Sequence, residues 1–77
     1  MPLFFLHIRD GAVLIRDPEG GCFPDITAAR AEAIESAREL MSQSILRHAR
    51  IGIERQFEIT NENGKTVAVV GFDEAIH

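Results

Sequence analysis

Residues 4–16 read FFLHIRDGAVLIR, and this stretch decides the fold. Two runs of apolar and β-branched residues flank Asp10-Gly11. Asp-Gly between two such runs is a strong signal for a β-hairpin with a tight two-residue turn. The sequence therefore predicts an N-terminal hairpin with strands over residues 3–9 and 12–16.

The two faces of this hairpin differ in polarity. A two-residue turn at Asp10-Gly11 pairs Ile8 with Val13, and successive side chains of a strand point to opposite faces. One face then carries only apolar residues, namely Phe4, Leu6, Ile8, Val13 and Ile15. The other face is mixed and carries Phe5, His7, Arg9, Leu14 and Arg16. We expect the apolar face to contact the core and the mixed face to lie outside.

A loop and a long helix follow the hairpin. Residues 17–25, DPEGGCFPD, are rich in Pro, Gly and Asp, which favours a loop. Asp25 is suited to cap the helix, because its carboxylate accepts hydrogen bonds from free backbone N–H groups. Residues 26–49 lack Gly and Pro and repeat alanine at helical spacing, so they predict one helix that stops near Gly52.

A second hairpin is predicted with strands over residues 53–60 and 65–71 around an NENG loop. The loop length sets which side chains enter the core. A three-residue loop with Gly64 in the left-handed conformation turns Val67 and Val69 inward, whereas a two-residue loop turns both away. We prefer the three-residue loop.

Together these elements predict a single α+β domain over residues 1–77, with the order ββαββ. One long helix packs on one face of a four-stranded antiparallel sheet. We prefer the strand order 2-1-3-4, because the first strand is the most apolar and suits the centre, while 1-2-4-3 and 2-1-4-3 remain alternatives. The tail FDEAIH is expected to dock Phe72 and Ile76 as a last helical turn.

Several short motifs resemble a known family. They are FFLHIRDG, the D-x-E-G pattern of Asp17, Glu19 and Gly20, and Pro24-Asp25 ahead of an alanine-rich helix. This pattern is similar to a family of short bacterial proteins described as a domain of unknown function, and it covers nearly the whole chain. The resemblance implies the fold above and brings no activity, cofactor or substrate.

Composition restricts the classes of partner. The chain has 12 Asp and Glu against 8 Lys and Arg, so its formal net charge is -4. This balance disfavours a general attraction to nucleic acid or to an anionic membrane. No apolar run approaches the roughly 18 residues of a spanning helix. With Cys22 as the one cysteine, an internal disulfide is excluded, and we expect a cytoplasmic protein.

Few residues suggest chemistry. His7 lies on the outer face of the predicted hairpin, and the predicted pairing places no carboxylate beside it. The histidines His7, His48 and His77 are scattered, and Cys22 sits in an acidic loop that disfavours a thiolate. The basic cluster Arg47–Arg50 fits the negative end of the helix dipole. We therefore expect no catalytic, cofactor-binding or metal-binding residues.

The mixed face is the best candidate for a functional surface. A single helix covers only one face of the sheet, and an apolar centre with a polar rim is typical of association surfaces. We expect an interaction or homo-oligomerisation module without catalytic activity, whose partner is itself, as a homodimer, or another protein. The alternative is a regulatory nucleic-acid binder that uses the same open face. The candidate surface comprises Phe5, His7, Arg9, Leu14 and Arg16.

Overall fold

The computed structural model describes residues 1–46 and 54–76 and shows an α+β fold, as predicted. The elements, in chain order, are β1 (Leu3–Asp10), β2 (Val13–Ile15), β3 (Gly21–Cys22), α1 (Ile26–Leu46), β4 (Gln56–Thr60), β5 (Thr66–Gly71) and a 3-10 helix (Phe72–Ile76). The predicted helix residues 47–49, the basic cluster Arg47–Arg50, the stop at Gly52 and His77 lie outside the described residues.

The sheet has the order β2-β1-β4-β5, and every pair in it is antiparallel. This confirms the preferred order, in which the most apolar strand, β1, is central. The two-residue strand β3 was not predicted, because residues 17–25 carry only loop signals. It pairs with the N-terminal end of β1, with Leu3 opposite Cys22 and Phe4 opposite Gly21.

The register of the first hairpin differs from the prediction. Ile8 pairs with Ile15 and Asp10 with Val13, so the turn residues are Gly11 and Ala12. Asp10 extends β1 by one residue, where its carboxylate forms an ion pair with Arg55. The predicted pairing of Ile8 with Val13 is wrong by two residues. Because side chains alternate with period two, this shift leaves every residue on its predicted face.

The predicted register of the second hairpin is wrong beyond the turn, and this reverses the faces to which Val69 and Val70 point. Thr60 pairs with Thr66 near the turn, and Gly64 has a φ of 81°, as the three-residue loop predicts. A β-bulge with Val67 as the extra residue then shifts the pairing by one. As a result Val70 is fully buried and Val69 is exposed, the reverse of the prediction.

The core forms where α1 crosses the sheet. Ala29, Ala33 and Ala37 are fully buried, and their small side chains let the helix lie close to the strands. The Asp25 carboxylate caps α1 by accepting a hydrogen bond from the Ala28 N–H at 2.9 Å, as predicted. Phe72 of the 3-10 helix is also fully buried, as expected for the tail.

The helix does not cover the whole inner face. It packs mainly on β5 and the 3-10 helix and makes fewer contacts with β1 and β4. Val13 and Ile15 lie on the inner face as predicted, yet they are 60% and 47% exposed. The expectation that both residues pack in the core is therefore wrong, because β2 lies at the edge of the sheet opposite β5, on which α1 mainly packs.

Candidate functional site

The outer sheet face carries the predicted surface residues. Phe5, His7 and Arg9 occupy alternate positions of β1, and Leu14 is the β2 partner of Arg9. All four are partly buried. Arg16 follows the end of β2 and is exposed. The structure therefore brings four of the five together on one face, with Arg16 at its margin.

Strand β4 supplies the polar centre of this face. Thr60, Glu58 and Gln56 lie directly opposite Phe5, His7 and Arg9. On the far side of Glu58 lies Val69, which is 45% exposed. The predicted three-residue loop, which turned Val67 and Val69 inward, placed Ala68 and Val70 on this outer face. The bulge in β5 replaces them with Val69.

An ion pair joins the two central strands. The Arg9 guanidinium donates from Nε to Oε2 of Glu58 at 3.0 Å and from Nη2 to Oε1 at 3.4 Å. The hydrogen bond from Arg9 lowers the pKa of the Glu58 carboxyl and raises the pKa of Arg9. Gln56 also donates to Glu58. The charged groups at the centre of the face thus satisfy one another.

His7 is held from both of its ring nitrogens. The backbone N–H of Asp17 donates to Nδ1 at 3.0 Å, and Nε2 lies 3.1 Å from Oγ1 of Thr60. Since a backbone N–H can only donate, Nδ1 is the acceptor and Nε2 carries the hydrogen that Thr60 accepts. This polarity is opposite to that of an imidazole that activates a hydroxyl, so the pair is not arranged as a nucleophile and its base.

The D-x-E-G motif closes the gap between β2 and β3 along β1. The Asp17 carboxylate accepts hydrogen bonds from the backbone N–H of Leu6 at 3.1 Å, Glu19 at 3.3 Å and Gly20 at 3.1 Å. Gly20 has a φ of 71°, and a Cβ there would lie 2.9 Å from the carbonyl oxygen of Phe4. Asp17 therefore takes the place of a neighbouring strand, and Gly20 permits the close approach.

The sequence reasoning missed the carboxylates near His7. Glu58 is its direct partner across the strands, and Asp17 donates to its ring through the backbone. The expectation that no carboxylate lies beside His7 is wrong, because it considered only the first hairpin. The motif that contains Asp17 was visible in the sequence, whereas the position of Glu58 required the order and register of β1 and β4.

Among residues 1–46 and 54–76, no three His, Cys, Asp or Glu side chains cluster closely enough to hold a metal ion. In the same residues, no helix combines the length and apolar character needed to cross a membrane. Cys22 is exposed on β3.

A known protein family matches most of the chain. A family model described as a domain of unknown function, DUF6894, matches residues 3–73. The chain belongs to the DUF6894 family. This confirms the resemblance to a domain of unknown function. No curated protein and no solved structure matches the chain.

Within this DUF6894 domain, polar and apolar groups of the outer face have different roles. His7, Arg9 and Glu58 form hydrogen bonds with neighbours inside the domain. Their bonds hold the side chains in fixed positions. Of the apolar groups between and beside them, Val69 is 45% exposed, whereas Phe5 and Leu14 are partly buried and the ring of Phe5 lies against Gly20. The face is therefore a rigid surface with both polar and apolar groups.

Proposed function

We propose that this domain is a protein-interaction module without catalytic activity that associates through its outer sheet face, with itself or with another protein. The observation that supports this most directly is the fixed polar network beside the exposed Val69 and the partly exposed Phe5 and Leu14. A surface whose side chains are already ordered loses little conformational entropy on binding.

The chemistry of the face favours binding over catalysis. Its imidazole has both nitrogens bonded within the domain, and its carboxylate at Glu58 is paired with Arg9. General acid–base catalysis needs a group free to exchange a proton with substrate. A cytoplasmic location is part of the proposal, and the exposed free thiol of Cys22 supports it, because such thiols persist in reducing compartments.

The proposal is tested by placing a charge on the apolar part of the face. We expect the immobilised domain to retain one defined protein partner, or a labelled copy of itself, and Val69→Lys to abolish this retention. Ala31→Lys is the matched control, since Ala31 is exposed on α1. Retention that is equal for the wild type, Val69→Lys and Ala31→Lys contradicts the proposal.

A second candidate function is recognition of single-stranded nucleic acid. The rings of Phe5 and His7 are nearly parallel, with an interplanar angle of 5° and centroids 6.1 Å apart. Parallel rings on an open sheet are suited to stacking with bases. The neutralised Arg9 and the net charge of -4 weigh against it. Absence of binding to a mixed-sequence RNA at about 50 mM salt, where electrostatic attraction is strong, eliminates this function.

A further inference from the structure

The two lateral edges of the sheet differ in how their backbone groups are protected. At the β5 edge, the N–H of Gly71 points away from β4 and donates to Oε2 of Glu74 at 2.9 Å. The bulge at Val67 further interrupts this edge. A carboxylate and a bulge are both known means of preventing an edge strand from pairing with another chain.

The β2 edge lacks these protections. The Leu6 N–H points to Asp17 and away from β4, so the even-numbered residues of β1 direct their backbone groups toward β2. Ile8 with Ile15 and Asp10 with Val13 are therefore the hydrogen-bonded pairs. It follows that the N–H and C=O groups of Leu14 point outward, where no described residue meets them.

The side chains of β2 also favour association. The strand is Val-Leu-Ile, without a charged residue or a proline. Val13 and Ile15 are exposed on its inner face, and Leu14 lies on the outer face. An apolar edge strand with free backbone groups is a template for a further strand.

We propose that β2 pairs antiparallel with β2 of a second copy of this chain, about a two-fold axis at Leu14. In this register the two Leu14 residues exchange both backbone hydrogen bonds. Val13 lies opposite Ile15 of the second copy, and the reciprocal contact is identical. The strand is thus complementary to itself, as a two-fold interface requires.

This inference rests on the proposed interaction role and names its partner. The pairing brings the two outer faces into one continuous surface, because Leu14 and Arg16 of the candidate surface lie at the new junction. The protected β5 edge ends the sheet on both sides, so assembly stops at a dimer. The contact is short, and we therefore expect a weak dimer that forms at high micromolar concentration.

Sedimentation equilibrium tests the dimer and its location. We expect the wild type to be largely dimeric at about 500 µM, and Val13→Lys to weaken dimerisation at least tenfold by placing like charges at the junction. Ala31→Lys is the matched control and should change the dissociation constant less than about twofold, since Ala31 is exposed on α1 and lies outside the β2 edge. A monomeric wild type at this concentration, or an unaffected Val13→Lys dimer, overturns the inference.

A disulfide test checks the register independently. Hydrogen-bonded antiparallel pairs have Cα atoms about 5.5 Å apart, which a disulfide can span. In a Cys22→Ser background, Leu14→Cys should form a covalent dimer on mild oxidation, whereas Ala31→Cys in the same background should not. Equal yields from both variants overturn the register.

The two proposals fail in different experiments. If Val69→Lys leaves partner retention unchanged while Val13→Lys dissociates the dimer, the outer face at Val69 is not the binding surface but the β2 pairing stands. If the wild type remains monomeric while Val69→Lys abolishes binding of another protein, the interaction role stands and the β2 pairing is wrong.

Discussion

The sheet ends in β2 on one side and in β5 on the other, and these two strands are covered to different extents. Val70 of β5 is fully buried beneath α1, whereas Val13 of β2 is largely exposed. Both lie on the same inner face. The difference in burial arises from the position of the helix. A side chain that points to the inner face of the sheet is therefore buried only where the helix covers that face.

Each side of the sheet also uses a carboxylate to satisfy strand N–H groups. Asp17 accepts three backbone hydrogen bonds beside β1, and Glu74 accepts one at β5. Asp17 is partly buried, whereas Glu74 is exposed and also pairs with Arg30 at 3.5 Å. We therefore expect the β1 side to depend more strongly on its carboxylate.

The largest difference in the free energy of unfolding is expected between substitutions at two glycines with positive φ. Gly20→Ala should lower the free energy of unfolding by about 3 kcal/mol, because the left-handed backbone is strained and the new methyl group meets the Phe4 carbonyl. Gly64→Ala should lower it by about 1 kcal/mol, since nothing lies near its Cβ position. Urea unfolding measures both values, and equal losses contradict the described packing of Gly20 against β1.

Truncation of a valine on each side compares burial directly. Val70→Ala should lower the free energy of unfolding by about 2 kcal/mol, because it leaves a cavity under α1. Val13→Ala should lower it by about 0.5 kcal/mol or less at low protein concentration. Thermal and urea unfolding of the two variants provide the measurement, and a larger effect at Val13 is incompatible with the position of the helix.

Removing one charge from each edge carboxylate is expected to have a smaller effect. Asp17→Asn should lower the free energy of unfolding by about 1.5 kcal/mol, because charge-assisted bonds to backbone N–H groups weaken. Glu74→Gln should lower it by less than about 0.5 kcal/mol, as is usual for exposed ionic contacts. Amide exchange should also accelerate at Leu6 in Asp17→Asn. An unchanged Leu6 exchange rate contradicts the role of Asp17.

The Arg9–Glu58 pair lies at the centre of the sheet, between the two edges, and it should make the stability of the protein depend on pH. The pKa of Glu58 is lowered in the folded state by its hydrogen bond from Arg9. Its stabilising contribution is therefore present above about pH 4.3, the usual pKa of a free Glu, and is lost as the pH falls through the lowered value. We expect Glu58→Gln and Arg9→Leu each to reduce the loss of stability between about pH 5 and 3. Urea unfolding across this pH range measures the change. If the free energy of unfolding of both variants falls with pH as steeply as that of the wild type, the role of the pair is contradicted.

The sequence correctly predicted the order of the two hairpins and the helix and the preferred strand order, but it missed the short strand β3. The structure confirms the capping Asp25 and the alanine repeat, each of which has a local cause, whereas the turn predicted at Asp10-Gly11 lies at Gly11-Ala12. The predicted partner of Ile8 was wrong by two residues because the turn lies one residue later in the chain than predicted. The faces of Val69 and Val70 were reversed because a bulge has no distinct signal in TVAVVG.

Predicting the candidate site required long-range information. Alternation along β1 correctly grouped Phe5, His7 and Arg9. Their partners Glu58 and Thr60 come from a strand about 50 residues later in the chain and depend on a register that propensity does not set. The uncovered state of Val13 depends on the lateral position of α1, which local periodicity does not encode.

The alanine contact between α1 and the sheet has a mechanical consequence. Ala29, Ala33 and Ala37 present only methyl groups, so resistance to sliding of the helix along its axis comes from the larger side chains packed beside them, Ile34, Leu40 and Met41, and from polar contacts. The Arg38 Nε donates to the carbonyl oxygen of Ala75 at 2.9 Å, which joins the helix to the C-terminal 3-10 turn. Together with the Arg30–Glu74 ion pair, this hydrogen bond fixes the axial position of the helix against the 3-10 turn.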